Sequence, residues 1–332
     1  MLVAVTLLFA SYAGVLGGAE RVLVDCVTRL ERPLRVACPP GPLAEELRQA
    51  GIEHVALKDR GLGRSAAGTL GMTYELTRLR PKTLVAWGAK AVMAAAGVPN
   101  TRRVAVHHDL FDSAALRGAV RATTKRADAV VTASQAIADE LKLPATILHP
   151  GLDLTAFTPT PLPDGPPRAL VAGALVGWKR PDLAVEIARR MPELQITFAG
   201  EPLPGDAPPQ LDPPSNVAFA GHVDIRQALQ AHHLLLHCAD REPYGMVLIE
   251  ALAAGRPVVA PAAGGPLEIL QHGLYEPGNA DAAVEEIRRA LETPGNPRTR
   301  AEQFDVRTSV ARLAAVLDEV AVPPRLPADV TV

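Results

Sequence analysis

The chain has 332 residues, and 48% of them are hydrophobic, which is enough to bury the cores of two domains. Its formal net charge of −2 gives no reason to expect a nucleic acid partner, and its three cysteines form neither a metal-binding nor a redox spacing. No apolar run reaches the roughly 20 residues needed to span a bilayer. Met1 to Ala19 superficially resemble a signal peptide but lack a basic start. We therefore expect a cytoplasmic protein with reduced cysteines.

Positive charge is concentrated in the first half of the chain. Residues 1–156 carry 19 Lys and Arg against 14 Asp and Glu, a net +5, and the remainder carries 15 against 22, a net −7. A basic half tolerates an anionic ligand or a membrane surface, so peripheral contact with the inner membrane face stays open. A basic stripe on the predicted helix 114–126 is explained either by a solvated face, the commoner case, or by such a membrane contact. The stripe consists of Arg117, Arg121, Lys125 and Arg126.

Strands and helices alternate through residues 1–156. The continuous apolar run at 2–9 predicts a buried parallel strand, and Gly17-Gly18 lead from its loop into an amphipathic helix. The alternation predicts a doubly wound α/β domain. Further strands are predicted at 34–38, 54–57, 82–86, 103–107, 129–132 and 146–148, and further helices at 42–50, 65–79, 88–96, 114–126 and 134–142.

A second α/β domain is predicted over residues 157–304. The five prolines of 158–168 exclude a regular element there and mark a hinge or boundary. Residues 305–332 are expected to form a final helix and tail that could cross back to the first domain. The fold class is thus two Rossmann-like, doubly wound domains facing a cleft. Strands are predicted from 169 and at 194–199, 216–219, 233–237 and 258–260, and helices at 180–190, 224–231, 244–254, 280–292 and 301–320.

The most informative stretch is a strand–helix–strand unit within this second domain. A polar turn enters a helix near Tyr244, with Glu242 just before the helix and Glu250 inside it, eight residues apart. At helical spacing, two such carboxylates share a face. The free amides of Gly245 and Met246 attract phosphate, and a carboxylate accepts two sugar hydroxyls. This combination suits a sugar nucleotide, whereas the plainer interpretation is an amphipathic helix with two solvated glutamates.

The run E-P-Y-G-M-V-L-I-E at 242–250, followed by A-G-R-P-V and Gly264-Gly265, resembles the E-x7-E signature of retaining glycosyltransferases of family 4, which have the GT-B fold. The resemblance implies that Glu250 binds the ribose hydroxyls of the donor. It also implies that Glu242 and the amides of Gly245 and Met246 hold the sugar and phosphates. Tyr244 and Val247 belong to the same donor-binding stretch.

A second motif, G-A-L-V-G-W-K-R-P at 173–181, resembles the family pattern G-R-L-x-x-x-x-K except at one position. The family lysine is present as Lys179, which would neutralise the leaving diphosphate, but Ala174 stands in place of the arginine. Arg180 or Arg241 could replace that cation. Gly221-His222-Val223 resembles the family step beside the nucleotide base, so Val223 is a further donor contact.

In the first half, Gly17-Gly18 within G-G-A-E-R-V-L resembles the family loop that faces the donor diphosphate and the acceptor, although a plain tight turn would also explain it. The segment V-A-V-H-H-D-L resembles the family His-Asp element. Because His108 directly precedes Asp109, His108 is expected to contact the transferred sugar, and His107 is the alternative. His232, His233 and His237 are interpreted as ordinary histidines at strand ends rather than as metal ligands.

Together these motifs predict transfer of a hexose from a UDP- or GDP-sugar to a hydroxyl acceptor on a glycan, lipid or small molecule. His108, Glu242 and Lys179 are the expected catalytic residues, and neither a metal nor another cofactor is expected. Retaining members of the family are thought to use front-face attack without a protein nucleophile. Two alternatives remain: a sugar-nucleotide epimerase on the same fold, and a non-catalytic subunit that binds sugar nucleotides.

Overall fold

A computed structural model describes residues 6–58, 66–111, 113–203 and 207–321. Its internal contacts divide the chain into two compact units. The first unit takes the chain up to Ala133, then Ile137–His149 and the residues from Arg307 onward. The second takes Ser134–Ala136 and Pro150–Val306. The main crossing therefore falls at 149/150, whereas the sequence placed it at 156/157, and the last helix is grouped with the first unit.

The first unit is built on a seven-stranded parallel sheet in the order β3-β2-β1-β4-β5-β6-β7. Its strands are β1 (Leu7–Ser11), β2 (Arg35–Cys38), β3 (Glu53–Ala56), β4 (Thr83–Trp87), β5 (Arg102–His107), β6 (Ala129–Thr132) and β7 (Thr146–Ile147). Its helices are α1 (Gly18–Arg29), α2 (Pro42–Gln49), α3 (Ala66–Leu79), α4 (Ala89–Ala95), α5 (Ala114–Thr124) and α6 (Gln135–Leu141). The doubly wound architecture is confirmed; residues 2–5 of the first predicted strand and residue 65 of the predicted helix 65–79 lie outside the described residues.

The centre of this sheet is buried on both faces, which explains why its strands read as continuous apolar runs. All five residues of β1 are buried, and Leu8, Leu84 and Ala105 of neighbouring strands share one core with Met72 and Leu76 of α3. Polar groups are therefore expelled to the strand ends. The carboxyl ends of β1, β4 and β5 lie side by side and end in loops that can hold functional side chains.

The second unit has a six-stranded parallel sheet in the order β10-β9-β8-β11-β12-β13. Its strands are β8 (Arg168–Ala172), β9 (Gln195–Ala199), β10 (Val217–Gly221), β11 (Leu234–Leu236), β12 (Val258–Pro261) and β13 (Leu274–Tyr275). Its helices are α7 (Pro181–Arg190), α8 (Ile225–Ala231), α9 (Met246–Ala253), α10 (Pro266–Ile269), α11 (Ala280–Glu292) and α12 (Pro297–Ala301), before α13 (Val306–Ala321) closes the described chain. This second Rossmann-like unit was also correctly predicted.

The prediction of one continuous helix over 301–320 is wrong, because the helix is interrupted between α12 and α13. Asp305 is extended, and Leu152 donates its N–H to the carbonyl of Phe304 at 2.8 Å. A Cβ on Gly151 would come within 2.5 Å of the Cα of Val306. The break thus lets two distant segments pair, and no glycine or proline in the sequence marks it.

The proline-rich segment 158–168 packs against the second unit instead of standing free as a hinge. Arg256, which is fully buried, donates to the carbonyl oxygens of Thr160 at 2.8 Å and Pro161 at 3.1 Å. The same guanidinium donates to the carbonyl of Leu229 at 2.8 Å. A buried arginine with these acceptors fixes a segment that has no regular backbone hydrogen bonding of its own.

Candidate active site

Glu242 lies in the polar turn that links β11 to α9. Because α9 begins only at Met246, Glu242 is not helical, and the helical face that we predicted for Glu242 and Glu250 does not apply. The Glu242 side chain is only 8% exposed. Burial alone would raise the pKa of this carboxyl group, but His237 and Lys179 outweigh burial and lower the pKa to about 2. Glu242 is therefore ionised at neutral pH.

Lys179 provides the opposite charge. It ends a short 3-10 turn (Gly177–Lys179) after β8, and its Nζ lies 2.5 Å from Oε2 of Glu242. The same Nζ lies 4.4 Å from the ring centroid of the half-exposed Trp178. The Nε2 of His237 is 3.2 Å from the same Oε2 of Glu242. Two residues predicted from separate motifs thus meet in one ion pair.

Two glycine elements hold the Glu242 turn in place. Gly245 has φ +102, and a Cβ on it would lie 2.8 Å from Leu248 Cδ1. Gly265 donates its N–H to the carbonyl of Glu242 at 2.9 Å, and a Cβ on Gly265 would lie 2.1 Å from the carbonyl oxygen of Tyr244. The Gly264-Gly265 pair does precede a short helix, as predicted. Its contact with the Glu242 turn was not predicted.

The start of α9 offers backbone donors beside this turn. Gly245 is the N-cap and has no side chain to bond the first amides, and Met246 and Val247 are the half-buried first residues. Tyr244 is buried, and burial raises the pKa of its hydroxyl above its ordinary value. Glu250 is half-buried further along α9. The arrangement provides an anion site at the helix start and a carboxylate along the helix.

Arg180 is engaged by two carboxylates. Its Nη1 lies 2.5 Å from Asp240 Oδ2, and its Nη2 lies 3.0 Å from Asp182 Oδ2. The hydrogen bonds to Asp182 are the largest cause of the raised pKa of the guanidinium. Burial opposes this shift, and the hydrogen bond to Asp240 adds to it. Its backbone is left-handed at φ +53, a conformation that favours glycine. Sequence reasoning missed Asp240, because nothing in the motif marks it.

The remaining donor candidates lie in loops at the ends of β8 and β10. Ala174 follows Gly173, whose φ is +133, and it presents no cation at the position where the family pattern has arginine. Arg241 is exposed in the Glu242 turn. Val223 is half-buried just after Gly221. No contact of these residues identifies a base-binding role by itself.

In the first unit, the two histidines after β5 occupy different environments. His107 is buried, its Nε2 lies 3.0 Å from Thr124 Oγ1, and burial together with His108 lowers its pKa to about 3. His108 lies instead against Gly88, where a Cβ would come within 3.1 Å of its Cε1. The ring of His108 is also 6.0 Å from the ring of Trp87. His108, not His107, therefore joins the side chains at the carboxyl ends of the strands.

Two further side chains complete this group and were missed by the sequence reasoning. Glu20 is buried, accepts the N–H of Gly17 at 3.2 Å, and has its pKa raised by burial against the opposing effect of His108. Tyr12 lies with its ring 4.5 Å from Lys90 Nζ. Their sequence signals were weak: one glutamate after Gly17-Gly18 and one tyrosine after an apolar strand.

Gly18 has space around it. Among the described residues, a Cβ on Gly18 would meet nothing within 4 Å, and its φ is not in the left-handed region. Gly17 differs, since a Cβ there would lie 2.9 Å from Glu20 Oε2. A tight turn therefore does not explain Gly18, and the open space fits close approach of a ligand to the backbone.

Two of the three histidines near the strand ends, His232 and His233, contact the backbone. His233 Nδ1 accepts the N–H of Arg168 at 3.1 Å, and His232 Nδ1 lies 2.6 Å from the carbonyl of Ala228. Within the described ranges, no group of three or more His, Cys, Asp or Glu residues could hold a metal ion. The helices of the described chain likewise include none that is long and apolar enough to cross a membrane.

Solved structures show which class of fold these two units form. Anabaena HepE, solved with UDP and glucose, has a TM-score of 0.80 at 22% identity, covering 95% of this chain and 99% of that chain. Sucrose-phosphate synthase from Thermosynechococcus elongatus has a TM-score of 0.78 at 17% identity, covering 95% and 98%. HepE has also been solved with UDP-glucose. The fold is thus that of the GT-B glycosyltransferases.

Family models match the sequence of both units. The model for glycosyltransferase family 4 matches residues 16–156, and the model for glycosyl transferases group 1 matches residues 155–305. The D-inositol 3-phosphate glycosyltransferase of Mycobacterium tuberculosis is 28% identical over an alignment of 176 residues. The alignment covers 45% of this chain and 37% of that relative. This chain belongs to the family 4, group 1 glycosyltransferases. The match spans little more than a third of the length of this curated relative.

Proposed function

We propose that the protein transfers a hexose from a UDP-sugar to a hydroxyl acceptor with retention of anomeric configuration. The observation that carries the proposal is the ion pair of Lys179 with the buried, ionised Glu242 beside the open start of α9. Cation, carboxylate and free amides match the diphosphate and hydroxyl groups of a sugar nucleotide. The UDP and UDP-glucose bound by HepE support uracil as the base of the donor, and a GDP-sugar is the alternative.

In this proposal the second unit binds the donor. The amides of Gly245 and Met246 bind phosphate oxygens, Lys179 stabilises the charge that develops on the leaving diphosphate, and Glu250 accepts the ribose hydroxyls. Glu242 binds sugar hydroxyls while keeping Lys179 in place. The other donor contacts within this unit are assigned to Arg180, Val223, Tyr244 and Val247.

The first unit binds the acceptor, and His108 contacts the transferred sugar. The acceptor oxygen forms the new bond to the anomeric carbon on the face from which the diphosphate leaves. The bond to the diphosphate oxygen breaks, and that oxygen takes the acceptor proton. No protein nucleophile is required. We also propose that no metal is needed, so activity measured with EDTA should equal activity measured with Mg²⁺.

Calorimetric titration with UDP, GDP and ADP tests donor binding, and Glu250→Ala is the matched variant. We expect UDP to bind and the variant to bind it about tenfold more weakly. Incubation with radiolabelled UDP-hexoses and candidate acceptors then tests transfer, and the anomeric coupling constant of the product tests retention. An inverted product would contradict the mechanism, and conversion of the donor sugar without any acceptor would show an epimerase.

A non-catalytic subunit that binds sugar nucleotides is the second candidate. It is favoured by one observation: Ala174 lacks the family cation, and Arg180 is already paired with Asp182 and Asp240. UDP binding that depends on Glu250, without turnover for any hexose or acceptor class, would support this candidate over the enzyme.

A further inference from the structure

A cavity of about 470 Å³ opens at the edge of the first sheet where β4, β5 and β6 begin. His107 and His108 follow the other end of β5, so the cavity lies at the edge opposite the proposed acceptor group. Its volume falls in the range of small-molecule sites. The lining residues are Lys82, Asn100, Thr101, Arg102, Arg103, Lys125, Arg126, Ala127 and Asp128.

Five of these nine residues are cationic and one is anionic. Some of the cations have a structural partner: Arg102 Nη1 lies 2.9 Å from Asp128 Oδ1, and Arg103 Nε donates to the carbonyl of Ala95 at 2.9 Å. Arg103 therefore satisfies the carboxyl end of α4. Such caps explain an arginine at a helix end, but they do not explain the remaining positive charge.

Lys82 and Lys125 have no such explanation. Both are exposed at the cavity, and neither forms an ion pair with any residue that the structure describes. Arg126 makes only one long contact, 3.4 Å from its Nη1 to the carbonyl of Ala96. Three cations thus face a concave surface on which the guanidinium groups of Arg102 and Arg103 are already held by partners. This arrangement resembles a preorganised anion site more than a solvated face.

The basic stripe expected on helix 114–126 is divided by the structure. Arg117 pairs with Glu140 at 2.9 Å, so its charge is balanced. Lys125 caps the end of α5, and together with Arg126 it lines the cavity. Two of the four cations of the stripe therefore lie at one end of the helix, where they line the cavity.

We propose that this cavity binds a phosphate-bearing polyanion, through Lys82, Lys125 and Arg126 with Arg102 and Arg103 as fixed donors. The ligand chemistry is that of adjacent phosphate groups, supplied either by a soluble oligophosphate or by neighbouring headgroups of an anionic phospholipid surface. The site is separate from the proposed donor site, which also binds phosphate.

Calorimetric titration with tripolyphosphate tests this site, in a Lys179→Ala background that removes the main donor-site cation. We expect binding in that background and a loss of at least about tenfold on adding Lys82→Ala and Lys125→Ala. Lys58→Ala, at an exposed lysine of the same unit outside the cavity, is the control that removes a positive charge elsewhere. Thermal unfolding of each variant verifies that it is folded.

A flotation assay with phosphatidylcholine vesicles, with and without phosphatidylglycerol, distinguishes the sources. Binding of tripolyphosphate alone identifies a soluble ligand, and co-flotation with the anionic vesicles alone identifies a headgroup. In either case the double lysine variant must lose binding and Lys58→Ala must keep it. The proposal is overturned if neither probe binds, or if Lys58→Ala weakens binding as much as the cavity variant does.

Discussion

Two buried glutamates at the strand ends of the two sheets have pKa values that are shifted in opposite directions. Glu242 is 6% exposed and has its pKa lowered to about 2, whereas Glu20 is 9% exposed and has its pKa raised. Burial acts on both in the same direction. The difference is that Glu242 contacts an ammonium group and an imidazole, while Glu20 accepts backbone N–H groups and is offset by His108 only in part.

The comparison shows that the charge of a buried carboxylate is set by its contact partners rather than by its depth. The second unit keeps a fixed negative charge next to a fixed positive one, which suits a charged donor. The first unit holds a glutamate and a tyrosine whose pKa values are both raised, so its surroundings favour neutral groups. Under the proposed function, that environment suits an acceptor hydroxyl.

Replacing Glu242, the ionised glutamate of the two, should have the largest effect on the transfer rate. Glu242→Gln keeps the shape but leaves Lys179 without its counter-ion, so the transfer rate should fall about 100-fold. The measurement is the initial rate at saturating UDP-hexose. Glu186→Gln, an exposed glutamate on α7 of the same unit, is the control and should keep the full rate. A Glu242→Gln rate within twofold of the parent would remove Glu242 from the mechanism.

The backbone that positions Glu242 can be tested separately from its charge. Gly265→Ala should destabilise the protein by about 3 kcal/mol and disturb the Glu242 turn, because the Cβ would clash with the Tyr244 carbonyl. Urea unfolding measures the change. Gly118→Ala in α5, where a Cβ meets nothing within 4 Å among the described residues, should instead stabilise by about 0.5–1 kcal/mol. Equal effects of the two substitutions would refute the packing argument.

The pH dependence of stability should reflect the neutral environment of the first unit. The folded-state pKa of His107, about 3, lies below the ordinary 6.5, so below pH 6.5 the unfolded state binds the proton more tightly. Stability is therefore complete above that pH and falls as the pH drops, by about 2 kcal/mol at pH 5. His107→Gln should flatten this part of the urea-unfolding profile. An unchanged slope in the variant would assign the acid sensitivity to other groups.

The smallest effect is expected at Glu20. Because burial raises its pKa, removing its charge with Glu20→Gln should cost less than about 1 kcal/mol of stability and leave the donor KM unchanged. The transfer rate below neutral pH should change least, since Glu20 is then closest to its protonated form. A loss of transfer rate in Glu20→Gln as large as that in Glu242→Gln would contradict the different roles assigned to the two glutamates.

Much of the fold could be predicted because buried parallel strands have a simple sequence pattern. The run at β1 and the repeated strand–helix alternation identified both sheets. The E-x7-E signature likewise located Glu242 and Glu250, and the K-R-P run located Lys179. Each of these features depends on residues that lie close together in the sequence, so the sequence alone is enough to locate it.

What the sequence did not predict depends on contacts between distant segments. The break before α13 exists because Gly151 and Leu152 need room beside Asp305 and Val306, and no local residue marks it. Gly264-Gly265 belong to the recognised motif. The Glu242 turn that they support, however, lies more than twenty residues earlier in the chain. Asp240 and Glu20 gain significance only from Arg180 and from His108, each on a different element.

Under the proposed function, the Lys179–Glu242 ion pair also gives the donor site an internal competitor for its own ligand. A diphosphate that approaches Lys179 must share it with a carboxylate that is already 2.5 Å away. Inorganic phosphate offers charge for the lysine but nothing for the carboxylate. A sugar nucleotide offers both, because its hydroxyls can satisfy Glu242 while its phosphates satisfy Lys179. Under the proposed function, the pair therefore acts as a discriminator that favours whole donors over simple anions, independently of how well either fits the pocket.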